Sequence, residues 1–332
     1  MIGWDISRQA RELEERYPQL RGCVDATRVE ELQKQADGHK LPDDFGASAE
    51  GGRGESYIAA QQSTSTRAQG IGRLLDLFLR HGTAESDVVL DLLGGDGLLQ
   101  RVHSLLGLEK PMIVTCDASP FMVEAAWAKG IPAILQRAEA SVFRTGSVGG
   151  VLLAYGSHHI PPARRGTVAT EAFRVLQPGG VFALHDFLSG SPVDTWFTKV
   201  VDVYSETGHA HSHFDEDTTR AYFQSAGFQR VELFQMDDPF VVEGDDPRHA
   251  ELELGRYLVE MYGLVRLAEE NGQTGGYRRA YELACEIFRY PQRNQATQEV
   301  HTSFSGMTGK WSVTMPREAL VAHGRKPRLA EH

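Results

Sequence analysis

A short apolar run, Val88-Val89-Leu90-Asp91-Leu92, passes directly into Leu93-Gly94-Gly95-Asp96-Gly97 and then into Leu98-Leu99, where helical periodicity resumes. Glycines at 94, 95 and 97 permit a turn that side chains would block, and a helix opening behind them aims its unpaired amides back over the turn. Strand, glycine turn and helix in that order mark the ligand-binding start of a parallel sheet, because the backbone there can approach a nucleotide closely. The alternation then repeats. Apolar strands are expected at 112–117, 133–135, 150–154 and 180–184, with helices at 98–106, 120–129 and 164–176, the second of them opened by Ser119 and Pro120. These strands carry almost no polar alternation, so both faces must be covered by helices. The expected fold class is α/β, a doubly wound and mostly parallel seven-stranded sheet.

Additions surround this core. Residues 5–37 read as two short amphipathic helices broken near Pro18 and Gly22, and 43–56 is so rich in Gly, Asp, Ala and Ser that it reads as a flexible lid. A helix over 63–81 follows, with Ile71, Leu74, Leu75, Phe78 and Leu79 as its buried stripe and Gly82 as its stop. Residues 1–62 are thus expected to form an N-terminal helical cap and lid, and 63–237 the cofactor-binding core. A helix near 218–224 and a strand at 230–236 extend the sheet. The expected closing strand, 311–315, comes only after about seventy residues, largely helical at 249–269 and 277–289, and insertions of that size are usually functional. Residues 238–300 are therefore read as a helical insertion covering the acceptor site, and 301–332 as the closing strand and tail, with 326–332 frayed.

With 34 Lys and Arg against 45 Asp and Glu, the net charge of −11 repels a phosphate backbone, and no basic block precedes the short tail of Arg325, Lys326 and Arg328. No nucleic-acid partner is expected. Three widely spaced cysteines, Cys23, Cys116 and Cys285, make neither a CxxC pair nor a disulfide framework and fit a reducing compartment. No apolar run reaches the ~18 residues of a membrane span, so no membrane partner is expected either. The reading is a cytoplasmic enzyme acting on a small-molecule substrate; a homodimer is left open.

Asp117 falls twenty positions after Gly97, at the end of the second strand, where a carboxylate can accept hydrogen bonds from both ribose hydroxyls. A dinucleotide fingerprint would need a third glycine where Gln100 stands, and a pyrophosphate beside Asp91 and Asp96 would meet two negative charges. A positively charged sulfonium would be attracted by them. Charge sign therefore favours S-adenosyl-L-methionine over NAD.

The ordered set of Asp91 to Gly97, Asp117, Gln136-Arg137-Ala138-Glu139-Ala140, Tyr155-Gly156-Ser157-His158-His159-Ile160 and Val175-Leu176-Gln177-Pro178-Gly179-Gly180 resembles the motifs of class I S-adenosylmethionine-dependent methyltransferases, whose fold is Rossmann-like. The resemblance spans roughly residues 70–236. It implies a cofactor site of Asp91, Gly94, Gly95, Gly97, Asp117, Ala118, Ala138, Glu139 and Tyr155, with Asp91 and Gly95 near the methionine moiety and Asp117 on the ribose. Two positions depart from the pattern. Leu93 replaces a usual glycine, and Arg137 stands where the family commonly has an acid for the adenine amino group; a guanidinium offers no acceptor, which leaves Glu139 or a backbone carbonyl for that role.

Methyl transfer needs positioning above all, plus a base where the acceptor carries a proton. The candidates for chemistry, His158, His159, His185 and Asp186, follow strand ends where an acceptor would bind. Of the first pair, one histidine is expected against the sheet and the other in the cleft. His209, His211 and His213 alternate in Gly208-His209-Ala210-His211-Ser212-His213, and an extended segment would put all three on one side, as a divalent or ferric ion could use. Such an ion could chelate a 2-oxo acid and favour methylation at its β-carbon, as in enzymes similar to 2-ketoarginine or indolepyruvate methyltransferases. O- or N-methylation of a small natural product stays open beside it. So does a protein that retains the cofactor for a non-methyl-transfer rearrangement.

Overall fold

The structure is a computed structural model that describes residues 5–38, 43–81, 87–205, 208–209, 211–290, 298–306 and 308–328. Helices α1 (Ile6–Arg16), α2 (Ala26–Gly38), α3 (Gly54–Gln61) and α4 (Ala68–His81) precede the sheet. The alternation then runs β1 (Val88–Asp91), α5 (Leu98–Leu105), β2 (Met112–Asp117), α6 (Pro120–Ala128), β3 (Ala133–Leu135), β4 (Val148–Ala154), α7 (Pro162–Val175) and β5 (Leu176–Asp186). Short helices α8 (Pro192–Trp196) and α9 (Asp202–Tyr204), joined by a π-helical turn, lead to α10 (Glu216–Ala226) and β6 (Gln229–Asp237). The last stretch comprises β7 (Phe240–Gly244), α11 (Pro247–Tyr262), α12 (Val265–Asn271), α13 (Gln273–Ile287), β8 (His301–Ser305), β9 (Lys310–Met315) and β10 (Glu318–Arg325).

Seven strands pair in the order β3-β2-β1-β4-β5-β10-β6, all parallel except for β10, which runs antiparallel to both neighbours. Every residue of β1, β3 and β4 is buried, as expected for strands covered on both faces. One face packs on α1, α2, α6, α7 and α10 and the other on α4 and α5. The chain winds outward from β1 to β3, then returns to place β4 on the other side of β1. The crevice above β1 and β4 is thus the switch point, where ligands of such sheets bind. Local signals also hold: Ser119 accepts from the Met122 amide to cap α6, with Pro120 next to it.

Four expectations need correction. The closing strand is β10, not 311–315; Lys310–Met315 instead pairs with β7 and β8 in a separate three-stranded sheet. Lys310–Met315 alternates polar and apolar residues, the pattern of a strand covered on one face, whereas residues 319–322 form the unbroken apolar run of a strand covered on both. The insertion therefore adds a small sheet to its helices, with a core of its own built on Leu254, Leu258, Phe240 and Val313. Leu79 is 46% exposed, because it falls about 100° round the helix from Phe78. The tail is anchored at Lys326, whose Nζ donates to the carbonyls of Phe173 and Leu176 at 2.8 and 2.7 Å. Gly82, the expected stop of α4, and the last four residues lie outside the described residues.

The glycine-rich segment after Asp43 is folded back on itself. The Gly54 amide donates to the Gly46 carbonyl at 2.9 Å, and a Cβ on Gly52 would meet that carbonyl oxygen at 2.3 Å. Here glycine serves close backbone approach rather than freedom. Arg53 Nη1 donates to the Met261 carbonyl at 2.8 Å and Ser56 Oγ to that of Glu260 at 3.1 Å, tying α3 to α11 across the crevice. Among the described residues no helix is long and apolar enough to cross a membrane.

Candidate active site

The glycines after β1 divide the work of the turn. A Cβ on Gly94 would meet Thr115 Cγ2 at 2.7 Å, and one on Gly97 would meet Ile131 Cδ1 at 2.6 Å, so both let the loop close on its neighbours. Gly97 (φ 83°) and Gly95 (φ 55°) are also left-handed, a conformation that costs other residues about 1–2 kcal/mol. Gly95 alone of the three faces the adjoining cavity. Its amide donates to Asp117 Oδ2 at 2.9 Å, while the Ser119 amide donates to Oδ1 at 2.8 Å.

That cavity has a volume of about 620 Å³, within the range of small-molecule sites. Of the expected cofactor residues, Gly95, Asp117, Ala118, Ala138, Glu139 and Tyr155 line it. Asp91, Gly94 and Gly97 are not among its walls, and Asp91 is 4% exposed. Asp96 is also buried, but it is paired with Arg101 at 2.9 Å and with Lys129, so it supplies no charge for a ligand. The favourable field comes instead from Asp117, Asp43 and Asp44 on the wall, with Asp91 behind. Burial, reinforced by the charge of Asp117, pushes the Asp91 carboxyl up to about 7; burial likewise raises Asp117 to about 6 against the amides of Ser119 and Gly95. Two such carboxyls beside each other are poorly balanced without a cation nearby, and their hydrogen-bond acceptors suit a ribose. This donor set fits S-adenosylmethionine. Glu139 is shared between Arg137 at 3.0 Å and Arg164 at 3.3 Å.

Tyr155 ends β4 with φ 60°, an unusual conformation for a bulky residue. Its hydroxyl donates to Asp238 Oδ1 at 3.1 Å, and the guanidinium of Arg67 lies over its ring at 3.8 Å. Arg67 is 5% exposed and its Nε has no hydrogen-bond partner. Asp238, fully buried, already receives Arg317 through both its carboxylate and its carbonyl. Sequence reasoning missed this group, because Arg67, Asp238 and Arg317 lie far apart in the chain and carry no motif.

The expected catalytic residues separate into two roles. His159 lines the cavity, whereas His158 is buried with its Nδ1 2.9 Å from Asp186 Oδ1; the division expected for this pair holds. His185 and Asp186 are both wholly buried and neither reaches the cavity. His185 packs against Tyr155, ring centroids 4.2 Å apart, with Nε2 3.4 Å from Asp238. Both touch only protein neighbours, Asp186 through His158 and His185 through Tyr155 and Asp238.

Five histidines gather beside the cavity. His209, His211 and His213 come against the His158–His159 pair, with ring centroids 4.9 Å apart for His158 and His209 and 4.5 Å for His159 and His211. The segment is not extended, since the His211 amide bonds to the His209 carbonyl at 2.9 Å. Among the described residues, the three whose ligand atoms all lie within 4.8 Å of one another are accordingly His158, His159 and His209, not the alternating trio. Burial drives His209 down to about 2 and His159, His211 and His213 below the usual range, so these rings are neutral near pH 7. A second void of about 30 Å³ shares His159 and Asp44 with the main cavity and is walled by His209, His211, Phe197 and Tyr262.

Residues 90–184, from within β1 to within β5, match the family model described as a methyltransferase domain. A ubiquinone/menaquinone biosynthesis C-methyltransferase of Salmonella paratyphi B is 24% identical over 183 residues, covering 47% of this chain and 71% of that protein. YcgJ from Bacillus subtilis superposes with a TM-score of 0.47 at 16% identity, over 79% of this chain and 99% of that one. For Haemonchus contortus phosphoethanolamine N-methyltransferase 2 in complex with S-adenosyl-L-methionine the values are 0.45 and 15%, over 77% and 53%. The family match places a methyltransferase domain at residues 90–184, and together with the sheet order and the glycine turn beside Asp117 it supports an S-adenosylmethionine-dependent methyltransferase of the class I fold.

Proposed function

We propose that the chain methylates a small molecule held between the cofactor cavity and the histidine cluster, and that the accepting atom is the β-carbon of a 2-oxo acid. The observation that carries this reading is the position of His159, which belongs to the walls of both voids. S-adenosylmethionine supplies a methyl group already activated on a sulfonium. Asp117 would hold the ribose hydroxyls, Ala138 and Glu139 the adenine end, and Gly95 and Tyr155 the methionine end, with the Asp91 carboxylate acting on the sulfonium from behind the wall. The neutral His211 imidazole, whose ring lies against that of His159 at 4.5 Å on the wall of the smaller void, would take the proton that the β-carbon must lose before it can attack and pass that proton on to solvent.

The closure tying α3 to α11 favours a small acceptor over a polymer. The curated relatives carry carbon methylation in their name, which supports a carbon acceptor. A divalent or ferric ion at the histidines would hold the two oxygens of a 2-oxo acid.

Incubation with isotope-labelled cofactor and a panel of 2-oxo acids, phenols and amines tests the reading. The expected result is S-adenosylhomocysteine in step with a product bearing the label at the β-carbon. Labelled phenols or amines with unlabelled 2-oxo acids would replace this reading with O- or N-methylation. Turnover of an acceptor without S-adenosylhomocysteine would establish the cofactor-retaining rearrangement instead.

A further inference from the structure

We infer that His158, His159 and His209 form a mononuclear site for a first-row divalent cation such as zinc, with open coordination positions toward the cofactor cavity. Nothing in the class I fold requires a metal; the case rests on the side chains themselves. Their ligand atoms lie within 4.8 Å of one another. A zinc–imidazole bond is about 2.0–2.1 Å, so the nitrogens of a tetrahedral site stand about 3.4 Å apart and the rings need to close by at most about 1.4 Å, within reach of side-chain rotation.

The ring nitrogens are also prepared for the task. Asp186 holds Nδ1 of His158, which leaves Nε2 as the ligand atom and sets the ring as a carboxylate–histidine pair does beside zinc. Nδ1 of His159 and Nε2 of His209 are buried and have no hydrogen-bond partner. Each such orphan is destabilising unless something meets it, and a cation meets both at once. Around the trio, Phe197 covers His209 with ring centroids 4.0 Å apart, and His213 stacks on it at 5.7 Å while Asp194 Oδ1 holds His213 Nδ1 at 2.6 Å. Arg165 fastens the two segments together by donating to the carbonyls of Ile160, His158 and Ser212. The void beside His159 and His209 has room for about one solvent molecule next to an ion.

Three imidazoles with coordination left open are the donor set of a catalytic rather than a structural ion. The ligand class for the open positions is a 2-oxo carboxylate, whose carboxylate and keto oxygens can bind side by side. That clause rests on the carbon-methylation reading; the metal site itself does not.

The test uses the full chain, stripped with a chelator and titrated with zinc alone and with cobalt(II) as a spectroscopic probe. Binding of S-adenosylhomocysteine is followed in the same samples. One equivalent of zinc per chain is expected, with cobalt absorption bands of nitrogen ligation. His159→Gln and His209→Gln should each weaken zinc binding at least about tenfold, and Asp186→Asn by about 10–100-fold, while His301→Gln on the exposed strand β8 changes nothing. Retained S-adenosylhomocysteine binding identifies the variants that are folded. A stripped chain that binds S-adenosylhomocysteine but takes up no zinc at micromolar concentration overturns the inference and leaves the methyltransferase reading standing. Zinc uptake undiminished in the doubly substituted His159→Gln, His209→Gln chain also overturns it. Zinc uptake through these histidines in a chain that methylates no 2-oxo acid supports the site and removes only its ligand class. Cobalt bands that shift when a 2-oxo acid is added support that class.

Discussion

The backbone amide of Gly95 donates to Oδ2 of Asp117 at 2.9 Å, which makes the turn after β1 and the acid ending β2 a single device. The carboxylate fixes the left-handed glycine while the glycine holds the carboxylate at the cavity wall. Asp117→Ala removes the proposed ribose acceptor and strands the amides of Gly95 and Ser119 together. Hydrogen bonds to a charged group contribute about 1.5–3 kcal/mol, so the Kd for S-adenosylmethionine and for S-adenosylhomocysteine should rise about 10–150-fold by calorimetry. Unchanged affinity would place the ribose elsewhere.

The pH dependence of binding follows from the same carboxyls. Asp91 at about 7 and Asp117 at about 6 are raised above the usual range, chiefly by burial. A raised acid contributes stability that is present below its unfolded value and is lost as pH rises through the folded one; for this pair the loss runs from about pH 4 to pH 7. A bound sulfonium favours the ionised forms and offsets that loss. Affinity for S-adenosylmethionine should therefore climb between pH 5.5 and pH 8 and then level, with protons released on binding below pH 7. S-adenosylhomocysteine lacks the sulfonium charge and should show a shallower rise. Parallel profiles for the two ligands would count against an electrostatic role of Asp91.

The core was legible because its signals are local. An unbroken apolar run bounded by glycine, a Ser-Pro helix start and an acid twenty residues beyond the turn each follow from neighbouring residues, and together they order the first five strands. The closing strand was legible only in part: Ala319-Leu320-Val321-Ala322 is the unbroken run of a strand covered on both faces, while Lys310–Met315 alternates as a half-covered strand does, but neither pattern says which distant strand it meets. The histidines illustrate the same division. Their types and chain positions were visible, but the His211–His209 turn that breaks the alternation and brings His209 to His158 depends on packing against Phe197. Asp96 misled for a related reason: its partners Arg101 and Lys129 turn an apparent ligand charge into a structural one.

Arg67 gives a prediction about the methionine end of the cofactor. A guanidinium this deeply buried, with Nε unpartnered and its charge acting on Asp91, is suited to a carboxylate ligand. Arg67→Met keeps the packing over Tyr155 and removes the charge. Affinity for S-adenosylmethionine and S-adenosylhomocysteine should fall about 10–100-fold, whereas methylthioadenosine, which lacks the amino-acid end, should bind as before. Equal losses for all three would show that the substitution disturbs the adenosine site and would remove Arg67 from the methionine carboxylate.

Asp238 joins the insertion to the core, and its removal should cost more than the loss of one contact. It is fully buried, receives Arg317 and the Tyr155 hydroxyl, and lies 3.4 Å from His185. Burial alone would raise its carboxyl, but Arg317 and His185 outweigh that and hold it below the usual range. Its contribution is accordingly present above about pH 4 and lost as pH falls below that. Asp238→Ala leaves the Arg317 guanidinium buried and unpaired, which typically costs about 3–5 kcal/mol. Urea unfolding at pH 7.5 should show a loss of that order. Asp238→Leu combined with Arg317→Met should recover most of it, because an apolar pair leaves no buried charge of its own. If the double variant proves as unstable as Asp238→Ala, the loss does not come from stranding Arg317, and the hydrogen bond from Tyr155 and the contact with His185 carry the joint.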